Sequence, residues 1–232
     1  MKHQEMIVFD MDGVLVEVGE SYRETICQTV LHFTGKSVTH ELVQEYKNRG
    51  GFNNDWLLSQ VMARDLGVEI DFQTVVDKFN QLFFGTVTDG IPDGLMARER
   101  WIPRTGLLED LGRRYSLGIF TGRLREEAEM TLRRFAGQQQ FKPLVGAADV
   151  VQGKPHPEGL LKIQAENPGV ALWYVGDTVD DARPAHAAGV PFIGVAAPET
   201  PFRPRLLELF EEYGAVAVIE NVNQIPEVLN KR

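Results

Sequence analysis

Apolar residues fall into two patterns along this chain. Short unbroken runs at 6–9 (M-I-V-F), 116–121 (S-L-G-I-F-T), 171–175 and 191–195 have the length and continuity of strands buried on both faces of a parallel sheet. Elsewhere apolar residues recur every three or four positions. Tyr22, Ile26, Cys27, Val30, Leu31 and Phe33 predict a helix over 21–33, with Ser21 and Glu24 spaced as a capping box. Leu42, Val43 and Tyr46 predict a second helix over 39–47. Leu57, Leu58, Val61, Met62 and Leu66 predict a third, ended by Gly67, and 72–84 predicts a fourth. Four helices with no strand between them predict an all-helical unit over 17–92.

Beyond Pro92 the pattern alternates. Helices are expected over 107–115, 124–135, 160–165, 182–188 and 205–213, and strands at 116–121, 144–146, 171–175, 191–195 and 215–219. This alternation predicts the α/β class, a doubly wound parallel sheet with right-handed crossovers. The core is then 1–16 plus 93–232, and the helical unit is inserted after its first strand.

Composition narrows the function classes. With 43% hydrophobic and 25% charged residues the chain is globular rather than disordered. A net charge of −9 argues against a general affinity for nucleic acid or anionic membrane. No run approaches the roughly 18 apolar residues a membrane span needs. Cys27 is the single cysteine, which excludes an intrachain disulfide framework and fits a reducing compartment. Without a recognisable signal peptide, a cytoplasmic location is expected. Oligomeric state leaves no mark in the sequence.

The chemistry lies at the strand ends. After 6–9 comes D-M-D-G, in which Asp10 and Asp12 alternate and Gly13 permits a sharp turn. Such a spot beyond a strand's C-terminal end is where open α/β sheets bind ligands. Taken alone, D-M-D-G reads equally well as a turn, since Asp beside Gly is an ordinary turn pair. Thr121 alone could be a helix cap, Lys154 a solvated lysine and Asp177 a turn former. Jointly, Asp10/Asp12, Thr121/Gly122, Lys154 and Asp177/Asp181 are predicted to reach one edge of one sheet.

In that order, D-M-D-G-V-L, T-G-R after a buried strand, G-K-P-H-P-E and G-D-T-V-D-D with A-A-G resemble the haloacid dehalogenase superfamily. The likeness is to its phosphatase-type branch with a helical cap inserted after the first motif, and it implies a Rossmann-like core. It also implies Asp10 as a nucleophile that forms an aspartyl phosphate, and Asp12 as proton donor and then acceptor. Thr121 and the Gly122 amide would hold phosphate oxygens, and Lys154 would offset their charge. Mg²⁺ would take Asp10, Asp177 and the main-chain carbonyl of Asp12, with Asp181 supporting this ligand set by hydrogen bonds.

Charge argues for the cation independently. Asp10, Asp12, Asp177, Asp180 and Asp181 face one lysine in these motifs, so a phosphate dianion would be repelled without a divalent metal. Dehalogenases resembling this fold lack an acid at the place of Asp12, which points away from dehalogenation.

The chain departs from the family pattern at Val14, where Thr is commoner, and at T-G-R. Arg123 could contact phosphate or simply begin the next helix as a solvated charge, the commoner fate of an arginine. The resemblance implies hydrolysis of a small phosphorylated metabolite. Phosphomutase chemistry is the rival, and a non-catalytic metabolite-binding protein a third class. Specificity would come from 48–56 (N-R-G-G-F-N-N-D-W), where Arg49, Asn53 and Asn54 could contact the leaving group. The alternative there is an ordinary turn with Phe52 and Trp56 in the core and Asn53 capping the next helix. T-G-R with this loop resembles a subgroup associated with histidine-biosynthesis enzymes, which makes histidinol phosphate a candidate substrate.

Overall fold

The computed structural model describes residues 3–88, 91–137 and 139–230. Its first strand, β1 (Glu5–Phe9), is followed by helices α1 (Glu24–Thr34), α2 (His40–Arg49), α3 (Asp55–Asp65) and α4 (Phe72–Phe84). Then come α5 (Leu107–Gly112), β2 (Ser116–Phe120), α6 (Arg125–Phe135), β3 (Leu144–Val145) and α7 (Glu158–Glu166). The chain ends with β4 (Ala171–Gly176), α8 (Val179–Ala188), β5 (Phe192–Val195), α9 (Arg203–Glu212), β6 (Ala217–Ile219) and α10 (Ile225–Leu229).

Two compact units result, one of Met1–Val16 with Trp101–Arg232 and one of Glu17–Arg100. In the first, six parallel strands lie in the order β6-β5-β4-β1-β2-β3. Chain order runs outward from β1 through β2 to β3, then restarts at β4 on the other side of β1. The sheet's topological switch point therefore lies between β1 and β4, where open α/β sheets form their ligand crevice.

Alternation along the strands explains why the apolar runs are continuous. Met6, Val8, Leu172, Tyr174 and Phe192 form one core with Leu160 and Ile163 of α7, Ala182 and Ala185 of α8, and Leu206 and Phe210 of α9. The intervening Ile7, Phe9, Ile119 and Val175 are equally buried, so both faces of the sheet are covered. Each large side chain withdrawn from water in this way contributes roughly 1.5–3 kcal/mol.

The helical unit extends to Arg100, beyond the expected end at 92. The added residues include a 3₁₀ turn at Leu95–Arg98 that packs on α4, and within the expected bounds Val87–Thr88 pairs antiparallel with Ile91–Pro92, so the unit is not wholly helical. Val75, Phe79 and Phe83 sit four residues apart on α4 and are buried, with the Phe83 ring 4.2 Å from that of Tyr22. Asp71 accepts from the Thr74 amide at 3.1 Å and starts α4 at the predicted residue.

The capping box expected at Ser21 and Glu24 does not form. The chain is already helical there, winding through a π-type turn over Gly19–Arg23, so the Ser21 hydroxyl donates back to the Val18 carbonyl. Glu24 instead accepts from Gln28 and lies 3.2 Å from His40. Among the described residues, no helix is long and apolar enough to cross a membrane.

Candidate active site

Register carries the motif residues to one edge of the sheet. Phe9 is level with Ile119 of β2 and Val175 of β4, so Asp10, Thr121 and Asp177 leave the sheet within a residue or two of one another. The Asp10 amide donates to the Val175 carbonyl at 2.8 Å, which carries the pairing one residue past the strand. The chain then turns tightly, with the Met11 carbonyl accepting from Val14, Leu15 and Val16 and the Gly13 amide donating to Val16.

Gly13 is required twice over. Its φ of +71° is left-handed, and a Cβ there would lie 1.9 Å from Oδ2 of Asp177. Gly13→Ala is expected to push Asp177 aside and cut kcat/KM at least about 100-fold, the scale of losses from small misplacement of reacting groups. A phosphate-release assay checks it, and near-normal activity would overturn the close packing described. Gly176 is similarly confined, because a Cβ on it would lie 2.3 Å from that of Asp181.

Carboxylate oxygens of Asp10, Asp177 and Asp181 all lie within 4.8 Å of one another. Burial drives the Asp10 carboxyl up to about 7, with the Asp181 and Asp12 charges adding to the rise and Lys154 opposing it. Lys154 is itself buried, its Nζ 2.6 Å from Oδ1 of Asp181 and 2.8 Å from Oδ1 of Asp10. Burial pulls this ammonium toward neutrality, but the two carboxylates outweigh it and hold the group above its ordinary value. Phe120 and Tyr174 box it in, with ring centroids 5.2 and 5.6 Å from Nζ.

Nζ and Oδ1 of Asp10 thus form a buried ion pair, which still leaves that carboxylate lone pairs to offer. A buried carboxylate oxygen with an open lone pair, among three converging acids, is a hard-oxygen donor set suited to a divalent cation. Asp180, counted among the motif acids, is buried but is not one of the three.

Asp181 has a different role from Asp10. Its Oδ2 accepts from the Thr178 amide and hydroxyl, and its Oδ1 from Lys154 and the Tyr174 hydroxyl. Burial alone would raise its pKa, but Lys154, Tyr174 and Thr178 together hold it below the ordinary carboxylate value. Tyr174 and Thr178 were not singled out from the sequence. A tyrosine inside an otherwise apolar strand signals only that its hydroxyl needs a partner.

Thr121 is buried, and its Oγ1 accepts from the Arg123 amide at 3.3 Å. The following helix does not begin until Arg125, and Glu127 reaches back to the Leu124 amide at 3.0 Å. The preference for a solvated Arg123 is wrong, since the loop turns this side chain inward and leaves the residue 2% exposed. Its Nε donates to Oδ1 of Asp12 at 2.7 Å. A guanidinium is stable in such a place only when paired, so the site holds two cations rather than one against its acids.

In the helical unit, Asn54 rather than Asn53 caps α3, its Oδ1 accepting from the Leu57 amide at 2.9 Å. Trp56 donates to Asn80, and Phe52 stands edge-on to Tyr46. Arg49 is exposed, paired with Glu45 and stacked over Tyr46.

A parallel sheet that gathers three carboxylates and a buried lysine beyond the C-terminal ends of its strands defines a carboxylate-centred α/β site. The model of the haloacid dehalogenase-like hydrolases matches residues 7–195, and the chain belongs to that family. An imidazoleglycerol-phosphate dehydratase of Phytophthora nicotianae is 34% identical over 84% of the chain, which spans only 44% of that protein's length. The pyrophosphatase PpaX of Bacillus pumilus is 24% identical over 82% of both chains. A predicted phosphoglycolate phosphatase from Haemophilus somnus shares the fold, with a TM-score of 0.72 and 19% identity over 97% of this chain and 98% of its own.

Proposed function

We propose that this protein is a Mg²⁺-dependent phosphatase, hydrolysing a small phosphorylated metabolite in the cytoplasm. The observation that carries the reading is the convergence of Asp10, Asp177 and Asp181 beside buried Lys154. Asp10 and Asp177, with the Asp12 carbonyl, would hold the cation, which neutralises phosphate charge and so permits a dianion to approach an acidic site.

Asp10 attacks phosphorus, forming an oxygen–phosphorus bond as the bond to the leaving oxygen breaks, and Asp12 supplies the proton that oxygen needs. Water then attacks the aspartyl phosphate and yields a proton to Asp12, so that Asp10 is released and phosphate departs. Thr121 and the Gly122 amide hold phosphate oxygens. Lys154 steadies the charge that gathers on Asp10 and the phosphoryl group.

A chelator is expected to abolish phosphate release and added Mg²⁺ to restore it. Ca²⁺ should inhibit, because its longer, looser coordination misplaces Asp10. Full activity in chelator would overturn the reading. Phosphate appearing on a second substrate molecule rather than in water would make the enzyme a phosphomutase.

Histidinol phosphate heads the panel of esters to screen. The T-G-R variant motivates it, as does a relative whose name carries another imidazole phosphate. On this reading Arg49, Asn53 and Asn54 contact the leaving group, Asn54 through its Nδ2 while its Oδ1 holds the start of α3. Arg49→Ala or Asn53→Ala should lower kcat/KM on the true substrate about 10-fold, equivalent to ~1.4 kcal/mol, and hardly change hydrolysis of an aryl phosphate. Equal losses on both would assign 48–56 a purely structural role.

A further inference from the structure

Arg123 is placed unlike a phosphate ligand. Nε and Nη2 both address one oxygen, Oδ1 of Asp12, while Nη1 donates to the Thr131 hydroxyl on α6 at 2.7 Å. Its side chain is 1% exposed and that of Asp12 30%. The backbone is pinned as well. The Arg123 amide donates to Thr121 Oγ1, and its carbonyl accepts from Ala147 at 2.9 Å. To reach a phosphate, the guanidinium would have to leave both Asp12 and Thr131, separating a buried cation from its carboxylate, which is costly.

We infer that Arg123 is a positioning residue: gripping Asp12 by Oδ1, it assigns Oδ2 as the oxygen that gives the proton to the leaving group and recovers one from water. The chemistry of the donors supports this. Guanidinium N–H groups only donate, so a proton on Oδ1 would meet two donors head-on, whereas a proton on Oδ2 leaves Oδ1 accepting. With one oxygen fixed, the other is held in a single orientation through both half-reactions, which need the same proton carrier first as acid and then as base. The inference rests on the phosphatase reading above and adds the residue that aims its acid–base group.

The test is rapid-quench kinetics with p-nitrophenyl phosphate and Mg²⁺ on wild type, Arg123→Met, Arg123→Lys and Thr131→Val. Nitrophenolate leaves without needing a proton, so the first-turnover burst should stay within about 3-fold in Arg123→Met. Breakdown of the aspartyl phosphate still needs its base and should slow at least about 30-fold, so phosphorylated Asp10 accumulates and KM falls along with kcat. Inhibition by inorganic phosphate should change less than about 3-fold. Arg123→Lys and Thr131→Val, milder changes, should show the same pattern at about 5-fold, and they decide the matter if Arg123→Met does not fold.

A burst lost together with at least about 10-fold weaker phosphate inhibition would make Arg123 a phosphate ligand and overturn the inference alone. Equal slowing of both steps would make it a structural brace, with the same consequence. Absence of any phosphorylated Asp10 in quenched wild type would overturn the phosphatase reading, and this inference with it.

Discussion

Asp10→Asn is expected to fold and to retain less than about 1% of wild-type turnover, because loss of a covalent nucleophile costs several orders of magnitude. The amide has nearly the volume of the acid and cannot attack phosphorus. Folding should survive because burial already pushes the Asp10 carboxyl up to about 7 in the metal-free protein, so a neutral group suits the position. The sign of the pH effect follows. Between the ordinary value of 3.8 and about 7 the folded protein holds a proton that the unfolded chain has released, so this group's contribution to stability falls as pH rises through that window. In metal-free protein, the Tm of wild type minus that of Asp10→Asn should therefore decrease from pH ~4 to ~7. A flat difference by calorimetry would contradict the burial argument, and residual activity above ~1% would remove Asp10 as nucleophile.

Lys154→Met should damage both stability and catalysis. Nζ lies between two buried carboxylates, 2.6 Å from Asp181 and 2.8 Å from Asp10, so its removal leaves buried negative charge without a counter-charge. Breaking such a pair costs about 3–5 kcal/mol. For a chain of this length that is a fall of roughly 10 °C in Tm. Mg²⁺ should recover part of the loss by replacing the missing positive charge. Turnover should drop about 10²- to 10³-fold, the scale on which a preorganised electrostatic contact matters. Lys154→Arg keeps the charge, but a planar fork does not fit a space shaped by two aromatic rings, so it should recover stability more than rate. A Lys154→Met variant as stable and active as wild type would mean that the lysine is a bystander.

Some of this protein was legible in the sequence because the relevant physics is local. A run such as M-I-V-F is continuous because its strand is buried on both faces, and the four-residue spacing of Val75, Phe79 and Phe83, close to one helical turn, reports a helix with one buried side. The chain order of D-M-D-G, T-G-R, G-K-P and G-D-T-V-D-D carried the family and the candidate residues together. Residues whose roles depend on distant partners were not legible. Arg123 carries no sign of burial in its own neighbourhood; its partner Asp12 is 111 positions away and is brought to it by the pairing of β1 with β2. Tyr174 reads as one more apolar strand residue until α8 places Asp181 against its hydroxyl. The expected cap at Ser21 failed for a local reason instead, since the preceding turn was already wound. Sequence periodicity fixes which face of an element is apolar, whereas the pairing of charged side chains is set by sheet register and loop path, which only the assembled fold determines.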